Sequence, residues 1–288
     1  MATPPRVFHD PALLRSEIRQ AQADGKRVGL VPTMGALHPG HLSLVAESQK
    51  SCDLTVVTIF VNPTQFAPGE DFTKYPRTLD ADLELLSEYD PVWVLVPEVD
   101  AMYPPGSTTE VKAPEIAEPL EGTFRPIHFD GVATIVLKLF QVAPADAAFF
   151  GQKDFQQVRV IQEMVRDLLV PIEIVRCPIV READGLAMSS RNRYLSPEER
   201  EVALSISRSL NEAAQRIEAG DSNAEVLRDT IEQSLRSAGI GEIDYVSLAC
   251  PRTLKPVETI EGDVVILVAA KVGTTRLIDN VLVSPPAS

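Results

Sequence analysis

His38-Pro39-Gly40-His41 holds the residue types best suited to chemistry in this chain. It follows an apolar run, Val28 to Val31, and a turn-like segment, Pro32-Thr33-Met34-Gly35. It precedes an amphipathic stretch, Leu42 to Ser48. The order reads strand, loop, helix. Two histidines three positions apart share one face of a helix start. Exposed N–H groups and the helix dipole at such a start attract anions. Gly40 lets a flat ligand approach the backbone closely. Together these features point to a nucleotide phosphate. The same spacing also suits a surface pair or half of a metal site. Zinc is disfavoured, because Cys52, Cys177 and Cys250 are scattered without ligand spacing.

Five further segments crowd polar residues at the ends of apolar runs. Asn62-Pro63-Thr64-Gln65-Phe66 follows a run ending at Phe60. Its neutral amides suit a hydroxyl, although an Asn-Pro turn is the plainer explanation. Thr78-Leu79-Asp80-Ala81-Asp82 puts carboxylates in a helix first turn. Dipole complementarity accounts for them without a metal, and magnesium is the second reading. In Arg125-Pro126-Ile127-His128-Phe129, His128 caps or packs a helix. Gly151-Gln152-Lys153-Asp154 follows Phe149-Phe150. Lys153 there is a natural charge clamp for phosphate, and Asp154 accepts from ribose hydroxyls, caps the next helix, or does both. Gln157 lies one turn on. Met188-Ser189-Ser190-Arg191 offers two hydroxyls and a guanidinium, which suits a polyphosphate. Alone it is an ordinary loop.

The elements that must position these segments alternate in periodicity. Helices are predicted at Asp10–Ala23, Gly40–Ser51, Thr78–Tyr89 with Thr78 as N-cap, Gly131–Val142 and Asp154–Leu168. Strands are predicted at Val28–Val31, Leu54–Phe60, Val92–Val96, Ala147–Phe150 and Ile172–Val175. Continuous runs of Val, Ile and Phe are typical of parallel strands buried on both faces. The alternation implies an α/β fold with a doubly wound parallel sheet, which binds ligands beyond the carboxyl ends of its strands. After Pro178 to Arg193 the pattern changes. Two helices, Pro197–Ala219 and Asn223–Ala238, precede strands at Asp244–Leu248, Val264–Lys271 and Arg276–Val283. We therefore expect a domain over 1–179 and a smaller α+β domain over 180–288, ending in a frayed tail from Ser284.

Bulk properties narrow the function. The chain has 288 residues, 44% of them hydrophobic, and a net charge of -14. No basic patch suggests a nucleic-acid partner. No apolar run is long enough to cross a bilayer, and Met1 to Asp10 shows no charged-then-apolar leader. Three unpatterned cysteines fit free thiols in a cytoplasmic protein.

The longer motifs resemble the pantothenate synthetases. The likeness runs through Pro32 to His41, Ile59 to Phe66, Glu70-Asp71-Phe72, Tyr75 to Leu79, His128 to Val132, Phe150 to Asp154, Arg181 to Leu195, and Gly273-Thr274-Thr275-Arg276-Leu277-Ile278-Asp279-Asn280. It implies a Rossmann-like domain of the nucleotidyltransferase superfamily. It implies a homodimeric ligase that joins pantoate to β-alanine through a pantoyl adenylate, with ATP and Mg²⁺, releasing AMP and pyrophosphate. By resemblance His38 and His41 contact ATP phosphates and are catalytic with Lys153 and Arg191, His41 being the principal catalytic residue. Met34, Gly35, Gly40, Gly151, Gln152, Asp154, Val180, Met188, Ser189 and Ser190 complete the nucleotide set. Gln65, Gln157 and Asn62 serve pantoate, with Gln65 also serving β-alanine. Asp82 is the expected metal carboxylate, with Asp80 the near alternative. A nucleotidyltransferase acting on another small substrate is the alternative; it would share the histidine pair without needing Gln65 and Gln157.

Overall fold

The computed structural model describes residues 4–66 and 71–286. Glu70 of one matched motif and the last residues of the expected tail, Ala287 and Ser288, lie outside them. The chain folds into two compact units. One comprises residues 1–151 and 156–178; the other comprises 152–155 and 179–288.

In the first unit, six strands form one sheet among the described residues. They are β1 (Arg6–Phe8), β2 (Val28–Thr33), β3 (Leu54–Ile59), β4 (Val92–Leu95), β5 (Ala147–Gly151) and β6 (Glu173–Cys177). Every pairing is parallel, in the order β1-β4-β3-β2-β5-β6. Consecutive residues of β2, β3 and β5 are buried, as expected for strands covered on both faces. The expected doubly wound α/β architecture is therefore present. The helices are α1 (Pro11–Ala23), α2 (Pro39–Ser51), α3 (Leu79–Leu86), the short α4 (Val99–Met102) and α5 (Glu121–Phe124), α6 (His128–Val142) and α7 (Phe155–Asp167). From β2 the chain steps to β3 and β4 on one side, then returns to β5 on the other. The strand order thus reverses between β2 and β5, the crevice where such sheets bind ligands.

The second unit packs α8 (Pro197–Glu218) and α9 (Ala224–Ser237) on an antiparallel sheet of β7 (Glu242–Ala249), β8 (Val264–Val272) and β9 (Thr275–Val283). Apolar residues of both helices and the sheet form one core. Ser196 starts α8 with a reciprocal capping box to Glu199.

Several boundaries differ from expectation. β1 is too short for its pattern to show in the sequence; it is recognisable only by its pairing with β4. Helix α6 begins three residues before Gly131. The Asp154 helix start is a 3-10 turn over Gln152–Asp154 followed by α7. Thr78 occupies the N-cap position of α3 but its side chain makes no capping bond. Its hydroxyl donates instead to Asp82 Oδ1 at 3.1 Å.

All three cysteines are free thiols. Burial, aided by the Glu47 carboxylate, pushes the Cys177 thiol from 9.0 up to about 11. The folded protein therefore holds that proton more tightly than the unfolded chain, and stability falls as pH rises from about 9 to about 11. Urea titrations across that window should show a stability loss that Cys177→Ala reduces; an identical pH slope in the variant would exclude Cys177 as its source.

Candidate active site

The turn from β2 into α2 is held by one buried carboxylate. Gly35 and Ala36 have φ of 82° and 51°, the left-handed region that side chains disfavour. A Cβ on Gly35 would also stand 3.1 Å from Asp82 Oδ2. Asp82 fixes this backbone. Its Oδ2 accepts from the Ala36 N–H and its Oδ1 from the Leu37 N–H, both at 2.9 Å. This corrects the expectation of a metal ligand. Asp82 is 2% exposed, and both oxygens face N–H or O–H donors. It does not fit magnesium, and Asp80 nearby is exposed. Among the described residues, no group of three His, Cys, Asp or Glu is arranged to hold a metal.

The carboxylate delivers the chain to His38, the N-cap of α2. Its Nδ1 accepts from the Gly40 N–H at 3.2 Å, and its carbonyl accepts from the N–H groups of His41 and Leu42. Pro39 has no N–H. The amides expected to face a phosphate are therefore taken by His38, which corrects that reading. A neutral ring accepting at Nδ1 carries its proton on Nε2. The rings of His38 and His41 lie side by side, 4.0 Å between centroids.

Beyond β3 the amides form a directed chain. Asn62 is 1% exposed. Its Nδ2 donates to the Gly131 carbonyl and to Gln65 Oε1, both at 3.2 Å. Its Oδ1 accepts from Tyr103 Oη at 2.7 Å and Thr64 Oγ1 at 3.1 Å. Desolvation raises the Tyr103 phenol above its usual value, so it stays a donor. A carbonyl can only accept, so Gly131 fixes the polarity of Asn62, and Asn62 fixes that of Gln65. Gln65 directs its amino group to Met34 Sδ, 2.9 Å away. Its backbone carbonyl meets His128 Nδ1 at 3.0 Å. Helix α6 approaches so closely that a Cβ on Gly131 would lie 2.6 Å from the Thr64 carbonyl carbon. Asn62, expected to touch substrate, is thus committed to holding Gln65.

On α7 two adjacent glutamines divide the work. Gln156 is buried and bonds Glu121 N, Ile116 O and Pro119 O. Gln157 is half-buried. Tyr103 and Gln156 escaped the sequence reading, and Gly131 entered it only as a helix start within a matched motif, because their partners are remote in the chain. At the end of β5, a Cβ on Gly151 would meet nothing within 4 Å. The fold itself leaves that space open.

In the second unit, Met188 N donates to Val180 O at 2.9 Å, so these two residues face each other across a turn through Gly185. Ser189 caps the 3-10 turn Ser190–Tyr194 by accepting from Arg191 N. Lys153 Nζ stands 4.0 Å from Asp154 Oδ1, beyond hydrogen-bond range. Gln152 turns its side chain to Asn280 rather than outward.

A model of the pantoate-beta-alanine ligase family matches residues 6–282. The chain belongs to that family. It is 52% identical over 257 residues to the pantothenate synthetase of Pseudothermotoga lettingae, covering 89% of this chain and 92% of the relative. The Aquifex aeolicus pantothenate synthetase is 49% identical over 277 residues, covering 96% and 98%. A crystal structure of the Thermus thermophilus pantothenate synthetase superposes with a TM-score of 0.91 at 41% identity, covering 96% of this chain and 98% of the other. A Francisella tularensis pantoate-beta-alanine ligase, complexed with beta-gamma ATP and beta-alanine, gives 0.78 at 34% identity, covering 96% and 97%. The protein is accordingly an enzyme of pantothenate formation. No helix among the described residues is long and apolar enough to cross a membrane.

If Asp82 anchors the loop, Asp82→Asn should cut ligase turnover by on the order of tenfold to a hundredfold through misplacement. The magnesium concentration giving half-maximal rate should not move. A rightward shift in a magnesium titration would return Asp82 to the metal.

Proposed function

We propose that this ligase works through a pantoyl adenylate. The carrying observation is the position of the histidine loop and Gly151. The loop follows β2 and Gly151 ends β5, the two strands between which the sheet order reverses. The open space beside Gly151 suits a nucleotide lying against bare backbone.

ATP is the substrate that the histidines serve, as the ATP complex of the Francisella relative supports. The pantoate carboxylate attacks the α-phosphorus and pyrophosphate leaves. The β-alanine amine then attacks the acyl carbon of the adenylate, and AMP leaves. Both nucleophiles come from substrates, so no Ser or Cys of the protein is needed. His38, His41, Lys153 and Arg191 supply charge and donors to the phosphates. Met34, Gly35, Gly40, Gly151 and Asp154 serve the nucleotide, while the side chain and carbonyl of Gln152 are held by Asn280. Val180 and Met188 flank the adenine, with Ser189 and Ser190 on the phosphates. Gln65 and Gln157 read pantoate. No residue of this chain is assigned to magnesium. The family resemblance further assigns a homodimer.

The test is isotope exchange between pyrophosphate and ATP. Exchange should require pantoate and proceed without β-alanine, and AMP rather than ADP should accumulate in the full reaction. ADP with an acyl phosphate would overturn the adenylate. His41→Ala and Lys153→Ala should each slow turnover by about a hundredfold or more.

The polarity of Gln65 gives a second expectation. Its amino group carries two protons, one directed at Met34 Sδ, so it can donate to a pantoate oxygen. Gln65→Met should weaken pantoate by about 1–3 kcal/mol while sparing ATP. Calorimetry of both ligands measures this, and equal losses would assign Gln65 to the nucleotide loop.

A further inference from the structure

The motif from Gly273 to Asn280 has no part in the chemistry above, yet it places two consecutive polar residues in the interior. Asp279 is 5% exposed and Asn280 2%. Neighbours along a strand face opposite sides, so each answers to a different partner. Asp279 takes both guanidinium nitrogens of Arg181, at 2.7 and 3.1 Å. Asn280 reaches the turn that bears Lys153. Its Nδ2 donates to the carbonyls of Gln152 at 3.0 Å and Lys153 at 2.9 Å. Its Oδ1 accepts from Gln152 Nε2 at 3.4 Å.

Both carbonyls can only accept, so the amide has one possible orientation and both its protons are used. The turn it holds is a 3-10 segment of three residues, Gln152–Asp154. Such a turn has poor internal hydrogen-bond geometry and needs outside support. A lysine ammonium is a point charge on four methylenes, so its useful position depends on how firmly its own backbone is fixed.

We propose that Asn280 is the positioning residue of Lys153, locking the backbone from which the ammonium reaches phosphate. The proposal rests on the phosphate role of Lys153 given above. A purely architectural Asn280 would staple the turn to β9 with no bearing on that charge. The two roles separate in a double-mutant cycle, because coupled residues lose additivity.

The experiment measures ATP affinity calorimetrically on the full-length protein, with thermal unfolding alongside. Asn280→Asp keeps the shape but presents oxygen to two carbonyls; Asn280→Ala removes the donors without burying a charge. Either change should weaken ATP at least tenfold when Lys153 is present and less than twofold in a Lys153→Ala background. Equal losses in both backgrounds, or a loss under twofold with Lys153 intact, would overturn the proposal. So would failure of both variants to fold, which would make Asn280 a residue of the fold alone. Unaltered ATP affinity in Lys153→Ala itself would remove the phosphate role of Lys153, and this inference with it.

Discussion

A buried carboxylate facing two backbone amides governs the first unit. The chain leaves β2 with two consecutive residues at positive φ, Gly35 and Ala36, a conformation that costs free energy at the alanine. Desolvating a lone carboxylate would cost more still. The hydrogen bonds between the two groups offset both costs. Asp82 gives the strained amides their acceptors, and the amides with Thr78 satisfy the buried charge. Hydrogen bonds to a charged group contribute about 1.5–3 kcal/mol each, enough to hold so short a loop. The consequence is geometric: the chain enters α2 at His38, and the ring of His38 closes the helix start that the paired imidazoles then present.

The same use of fixed acceptors runs through the amides beside it. The Gly131 carbonyl orients Asn62, and Asn62 orients Gln65. Only glycine at 131 lets α6 come near enough for this. A site for a small acid must distinguish oxygen from nitrogen at similar size, and it can do so only if its amides cannot flip. In the second unit the carbonyls of Gln152 and Lys153 do the same for Asn280. In each case a backbone group of unchangeable polarity sets a side chain whose polarity is otherwise free.

These arrangements separate residues that touch substrate from residues that aim others. Asn62, Asp82 and Gln152 have the chemistry of ligands, yet their polar atoms are committed within the protein. Gln65, Gln157, Lys153 and the histidine pair carry the proposed contacts. Mutational loss at either kind of position would look alike in a single turnover number, so binding and turnover must be measured separately.

The sequence alone determined the alternation of strands and helices, because burial on a sheet or helix face imposes a period that local composition must obey. It placed the histidine loop, Lys153 and Gln65 beyond strand ends, where the fold has them, and its long motifs identified the family. It could not assign Asp82, which read as a partner of the helix dipole and, by resemblance alone, as a metal carboxylate, because a first-turn aspartate looks the same whether it faces solvent, metal or amide. Nor could it show β1, whose three residues are a strand only beside β4. The partners of Asp82 lie 46 and 45 positions away, and those of Asn280 lie 128 and 127 away. A hydrogen bond is set by direction and distance over a few ångströms, and across such separations only the packing of helices on sheets brings donor to acceptor.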